Sequence, residues 1–95
     1  MKKVEIYTKD YCPYCHRAKE LLRIKGVDFV EYDITDDPFL AVEMRHRGHR
    51  QDAPLIFVAD TPVGDCGELF DLDERGLLDG LLDLGCPPGM TFQPA

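Results

Sequence analysis

Four cysteines stand in this 95-residue chain, and two of them are spaced for chemistry, in Cys12-Pro13-Tyr14-Cys15. A thiolate is the nucleophile of thiol–disulfide exchange, and a second thiol one helical turn away can close a bridge with it. The effective place for such a pair is the start of a helix, where free N–H groups and a partial positive charge favour a thiolate over a thiol. Lys9, just upstream, adds a cation. Cys12 then occupies the exposed edge of the helix as nucleophile. Cys15, one turn further in and towards the core, is the shielded resolving thiol.

Two other readings of the pair compete. C-x-x-C is also half of many structural zinc sites, which take four ligands. The remaining candidates, Cys66, Cys86, His16, His46 and His49, form no matching C-x-x-C or H-x-x-x-H pair, so no metal is expected. Inert buried cysteines are common in cores, but a strand-turn-helix junction with a proline inside the motif is an unusual place for them. A redox dithiol is the favoured reading.

The elements that must position these thiols follow from pattern. Val4-Glu5-Ile6-Tyr7-Thr8 alternates and reads as a strand. Pro13 suits the first turn of a helix, which carries Ala18, Leu21, Leu22 and Lys25 at helical spacing and stops at Gly26. Asp28 to Ile34 alternates again, completing a βαβ unit with a right-handed crossover. Asp36-Asp37-Pro38 opens a second helix that runs to about His46 and ends near Gly48.

Pro54 precedes a strand, Leu55 to Ala59, that looks buried on both faces. A proline there either turns the chain or simply opens the strand. Asp60-Thr61-Pro62 reads as a turn and Val63-Gly64 as a short return strand. A final helix starts near Cys66 or Gly67 and carries Leu69, Phe70 and Leu72. Gly76 breaks it, and Leu77, Leu78, Leu81 and Leu82 pack as a last short helix. The expected class is α/β, in the order β-α-β-α-β-β-α, with a four-stranded mixed sheet and helices on both faces. Residues 1–84 are expected to form the domain and 85–95, rich in proline and glycine, a flexible tail.

Charge narrows the partners. The net charge is −7, and it is unevenly placed. Residues 1–50 carry 10 basic and 9 acidic side chains, whereas residues 51–95 carry 1 basic side chain, Arg75, and 9 acidic ones. No basic patch could hold a phosphate backbone or an anionic membrane, so neither is an expected partner. No apolar run approaches the roughly 18–20 residues of a membrane span. Glu5 and Lys9-Asp10 interrupt any signal-like stretch, so a cytoplasmic chain is expected. In that compartment four cysteines read as redox or metal chemistry rather than as a disulfide scaffold.

From Met1 to Leu82 the chain resembles a dithiol glutaredoxin of the thioredoxin-fold family. The resemblance is carried by Val4 to Lys9, Cys12 to Lys19, Leu21-Leu22, Lys25-Gly26-Val27, Glu43-Met44, Pro54 with Ile56-Phe57-Val58, Val63-Gly64, Cys66, and Leu69 to Leu82. It implies a glutathione-dependent thiol–disulfide oxidoreductase that acts on disulfide-containing or glutathionylated proteins. It further implies a monomer, with glutathione as co-substrate and no permanently bound cofactor. It also implies a cis Pro54 facing the dithiol, beside a groove for glutathione. The groove residues carried over are Lys9, Cys12, Tyr14, Ala53, Pro54, Cys66 and Gly67: Ala53 by its backbone, Cys66 and Gly67 by their N–H groups.

Some positions depart from the family pattern. Gln51-Asp52-Ala53-Pro54 stands where an Arg or Thr before Thr-Val-Pro is common. Gly64-Asp65-Cys66-Gly67-Glu68 replaces a Gly-Gly-Cys-Asp-Asp type of segment, and Ala41 falls where a longer polar side chain often projects. These changes add carboxylates at Asp52 and Asp65 near an anionic ligand, so weaker glutathione binding is expected. Two further readings stay open: a redoxin reduced by thioredoxin reductase, which Ala53-Pro54 fits, and an iron–sulfur cluster carrier, which Pro13 disfavours. Cys86 is expected as an exposed free thiol, and His16, His46 and His49 as solvent-facing side chains.

Overall fold

The structure, a computed structural model, describes residues 2–10, 12–50 and 52–82. The elements are β1 (Val4–Thr8), α1 (Pro13–Ile24), β2 (Val30–Asp33), α2 (Pro38–Gly48), β3 (Leu55–Val58), β4 (Thr61–Gly64), α3 (Cys66–Glu74) and α4 (Leu78–Leu82). They form one sheet in the order β2-β1-β3-β4. β1 runs parallel to β2, with Ile6 opposite Glu31, and antiparallel to β3, with Ile6 opposite Ile56. β3 and β4 make an antiparallel hairpin with an irregularity between Ile56 and Phe57.

The expected mixed sheet with helices on both faces is what forms. β1 is buried along its whole length because its alternating side chains feed two cores. Val4 and Ile6 join Ala18, Leu21, Leu22, Leu69, Leu78 and Leu82, which brings α1, α3 and α4 onto one face. Tyr7 joins Met44, Leu55 and Phe57, which brings α2 onto the other. Burying a leucine contributes roughly 1.5–3 kcal/mol, so the first core is the larger store of stability. Lys25, beyond the apolar stripe of α1, pairs with Asp73 at 2.6 Å and Asp79 at 2.9 Å and ties the end of α1 to α3 and α4.

α2 docks differently. Met44 is its one fully buried side chain, and a charged cluster does the rest. Arg47 forks onto buried Glu5, with Nη2 2.9 Å from Oε1 and Nη1 3.1 Å from Oε2, and Nη1 also donates to the Tyr7 hydroxyl at 2.9 Å. Tyr7 donates to Glu43, Tyr32 donates to Glu5 at 2.8 Å, and the Arg47 guanidinium lies 4.1 Å from the Phe57 ring centre. The Arg47 hydrogen bond holds Glu5 below the usual carboxylate range, against the opposing effect of burial.

Several expected boundaries move. The β3–β4 turn is Ala59-Asp60, both at positive φ, so Thr61 and Pro62 belong to the strand rather than to the turn. That mirror-image turn matches the strand twist, and Pro62 is tolerated because β4 is an edge strand. β2 begins at Val30, not Asp28. α2 runs through Gly48, and His49 takes the left-handed capping conformation. Gly48 serves packing instead: a Cβ there would collide with Leu55 Cδ2 and lie 3.3 Å from Phe57 Cζ. The separate last short helix forms as expected, as α4 with Leu78 and Leu82 buried, but Leu77 falls just before it and is half-exposed. The expected tail, 85–95, and Cys86 within it lie outside the described residues. No described helix is long and apolar enough to cross a membrane.

Candidate active site

Cys12 is the N-cap of α1, in extended conformation, and Pro13 takes the first helical turn as its sequence position predicts. The Cys12 sulfur accepts the Cys15 N–H at 3.2 Å, and the Cys12 carbonyl accepts the His16 N–H at 3.2 Å. One of the free donors of the helix start therefore points at the reactive sulfur. Cys12 is partly exposed and Cys15 is 2% exposed. Burial pushes the Cys15 thiol well above an ordinary one, and its hydrogen bond with Cys12 and the charge there add to this, while the Lys9 backbone opposes it. The two sulfurs are chemically unequal: one accessible, the other held protonated.

Across from the dithiol, the Ala53–Pro54 peptide is cis, and the Ala53 carbonyl lies 3.8 Å from the Cys12 sulfur. A groove of about 590 Å³ opens beside it. Of the residues expected around a ligand, Tyr14, Ala53, Pro54, Cys66 and Gly67 line this groove together. Cys12 reaches it through its contact with Ala53. Lys9 does not line it; its side chain is exposed on the loop after β1. Cys66, the first residue of α3, is 5% exposed, and burial raises its thiol as well.

Asp52 and Asp65 also border the groove, as the sequence suggested, but they are not alike. Asp65 is the N-cap of α3: its carboxylate accepts the Glu68 N–H at 3.0 Å, and Glu68 in turn accepts the Asp65 N–H at 3.2 Å. This is a capping box, and it gives Asp65 a structural task that the sequence reading did not assign. Arg50 is a groove residue that reading missed altogether. Its Nη1 lies 2.5 Å from Glu68 Oε1 and 3.8 Å from Asp65 Oδ2. His16, His46 and His49 are exposed. Among the described residues, no group of three or more His, Cys, Asp or Glu side chains is placed to hold a metal ion.

A family model described as Glutaredoxin matches residues 4–63. Glutaredoxin 3 of Escherichia coli (strain K12) is 50% identical over 82 residues, covering 86% of this chain and 99% of the relative. The solution structure of a glutaredoxin from Brucella melitensis shares 45% identity and superimposes with a TM-score of 0.77, covering 92% of this chain and 95% of that one. A buckwheat glutaredoxin–glutathione complex, at 20% identity, reaches a TM-score of 0.77 over 87% of this chain and 78% of its own, a likeness of fold.

Proposed function

Given that this chain belongs to the glutaredoxin family, whose members are glutathione-dependent thiol–disulfide oxidoreductases, we propose that Cys12 is its nucleophile and Cys15 its resolving thiol. The observation that supports this most strongly is the inequality of the two sulfurs. Cys12 is partly exposed at the α1 N-terminus, and Cys15 is buried and held protonated.

With a glutathionylated protein, the Cys12 thiolate attacks the glutathione sulfur. The mixed disulfide breaks, the protein leaves as a thiolate that takes up a proton, and Cys12 carries the glutathionyl group. A second glutathione thiolate then attacks that group's sulfur, which frees the Cys12 thiolate and releases oxidised glutathione. Over the cycle one glutathione thiol is oxidised and one protein sulfur is reduced to the thiol, while the transferred glutathionyl sulfur stays in a disulfide and Cys12 returns to its starting state. With a protein disulfide, Cys12 forms the mixed disulfide first. Cys15 loses its proton, attacks the Cys12 sulfur and expels the reduced substrate, leaving a Cys12–Cys15 bridge for two glutathiones to reduce. Forming the mixed disulfide also removes the negative charge on Cys12, one of the causes that hold Cys15 protonated. Cys15 becomes a better nucleophile only once there is a bond for it to break.

Glutathione is read as lying along the groove, against Tyr14 and Pro54. Its cysteine backbone pairs with that of Ala53, and its carboxylate meets the N–H groups of Cys66 and Gly67. Gly67 leaves room for this, since a Cβ there would touch only Asp65 Oδ1, at 3.5 Å. Lys9, exposed on the neighbouring loop, adds a positive charge. The substrates are disulfide-containing or glutathionylated proteins, the working form is a monomer without a resident cofactor, and the compartment is the cytoplasm, where a glutathione pool keeps such thiols reduced. The domain is taken as residues 1–84.

The test supplies the two electron sources separately. Purified protein is given a glutathionylated peptide with glutathione and glutathione reductase, or an insulin-type disulfide with thioredoxin reductase. Turnover in the first system is expected. Turnover only in the second would replace this reading with that of a thioredoxin-reductase-dependent redoxin, and visible absorbance of protein purified without oxygen would favour a cluster carrier.

A further inference from the structure

We propose that Lys19 is a positioning residue for the resolving step: Glu31 and Thr8 hold its ammonium on the face of α1 that carries Cys15, where its positive field steadies the Cys15 thiolate as that thiolate forms. This rests on Cys15 being the resolving thiol, as proposed above.

The fold brings these side chains together from three elements. Cys15 and Lys19 are four residues apart on α1, so they share one face of it, which also carries buried Leu22. Ile6 pairs with Glu31 and Thr8 with Asp33 in the parallel ladder. Paired side chains point to the same side of a sheet, so Thr8, Glu31 and Asp33 face α1 together with Ile6. Lys19 Nζ donates to Glu31 Oε2 at 3.0 Å, and the Thr8 hydroxyl donates to the same oxygen at 2.7 Å. Lysine side chains ordinarily reach into solvent, yet this one is 19% exposed and Thr8 is buried. Lys19 shares its helix with Cys15 whereas Glu31 lies on an edge strand, so the pair turns its positive end towards the thiol.

The chemistry of the step calls for such a charge. Cys15 gives up its proton to water, and its sulfur bonds to the Cys12 sulfur. The substrate sulfur leaves with the electron pair of the broken bond and takes up a proton. Burial opposes the first event, as do the hydrogen bond with Cys12 and the charge there, whereas the Lys9 backbone and the Lys19 charge favour it. Once Cys12 is tied up in a mixed disulfide, its charge is gone. Burial then stands against the Lys9 backbone and Lys19, of which Lys19 supplies the charge. The titratable groups around this pair are Glu31 and Asp33 on β2, which temper Lys19, and Cys66 on α3, which burial keeps protonated.

The experiment separates the two sulfurs in time. Reduced protein is mixed by stopped flow with one equivalent of uncharged dithiodipyridine, and thiopyridone release is followed across pH. Cys86, which would compete for the reagent, is replaced by serine throughout. The first thiopyridone reports attack by Cys12. The second, released at a rate independent of concentration, reports attack by Cys15.

In Lys19→Met the pH midpoint of the second phase should move up by about one unit, and its rate at neutral pH should fall about 3–5-fold. An about tenfold smaller thiolate fraction is partly offset by the greater nucleophilicity of a more basic thiol. Glu31→Gln keeps an oxygen for Lys19 and Thr8 but removes the opposing charge. Its second phase should quicken about 2–3-fold, with the midpoint moved down. A second phase unchanged in Lys19→Met, an equal slowing of both phases, or a slower second phase in Glu31→Gln would overturn the assignment. A wild type that releases only one thiopyridone would instead overturn the reading of Cys15 as the resolving thiol.

Discussion

The sulfur of Cys12 accepts the backbone N–H of Cys15 at 3.2 Å, so the first turn of α1 serves both thiols. It presents a donor to one sulfur and carries the other into the core, where it is 2% exposed. A dithiol built this way has a preferred point of attack.

That preference can be read by alkylation. With limiting iodoacetamide at neutral pH, Cys12 should be labelled about tenfold or more ahead of Cys15 and Cys66, both of which are buried and raised above an ordinary thiol. Peptide mapping after a short pulse checks this. Comparable early labelling of Cys66 would contradict it.

The Glu5–Arg47 pair should dominate the docking of α2. Removing one partner of a buried ion pair costs about 3–5 kcal/mol, because the other charge is left stranded. Arg47 is 24% exposed, which places Arg47→Ala near the low end, about 3 kcal/mol. The urea midpoint of the variant measures it.

Stability should also depend on pH in a defined way. Arg47 holds Glu5 low and Arg50 holds Glu68 low, so their stabilisation is complete above the unfolded value of 4.5 and is lost as pH falls through the depressed folded values. Tyr7 has the opposite sign. Burial raises it from 10.0 to about 12, so its contribution is complete below 10.0 and disappears between there and about 12. Urea midpoints across the pH range should show a plateau with falls at both ends. Glu5→Gln should flatten the acid limb and Tyr7→Phe the alkaline one.

Gly48→Ala should destabilise the protein even though alanine is the better helix former. The added methyl meets Leu55 and Phe57 in the second core. Overpacking costs about 1–3 kcal/mol, against a propensity gain of at most about 1 kcal/mol. A net loss of about 1 kcal/mol in urea unfolding is expected.

What the sequence made legible was what local rules decide. Alternation exposed β1, a first-turn proline placed the start of α1, and the apolar stripe through Ala18, Leu21 and Leu22 named the face that α1 buries. The β3–β4 turn was misplaced because Ala59-Asp60 lacks the usual glycine signal, while Pro62 resembles a turn residue and is in fact tolerated on an edge strand. The docking of α2 was invisible because it depends on Arg47 meeting Glu5, 42 residues away, rather than on an apolar stripe. Arg50 was hidden for a similar reason. Its place in the groove depends on Glu68, 18 residues further along, and that side chain's position depends on a capping box and a glycine. The one available clue was the Asp65-to-Glu68 spacing of the box itself.

The most direct test of the account is to trap the glutathionyl intermediate. Reduced wild type, Cys12→Ser and Cys15→Ser proteins are mixed with a glutathionylated peptide, quenched in acid and analysed by intact mass and peptide mapping. Cys15→Ser should accumulate one glutathione, located on Cys12, and should still turn over the peptide with glutathione while losing reduction of protein disulfides. Cys12→Ser should carry none and turn over nothing. Glutathione found on Cys66, or sustained turnover by Cys12→Ser, would contradict the assignment of Cys12 as the nucleophile.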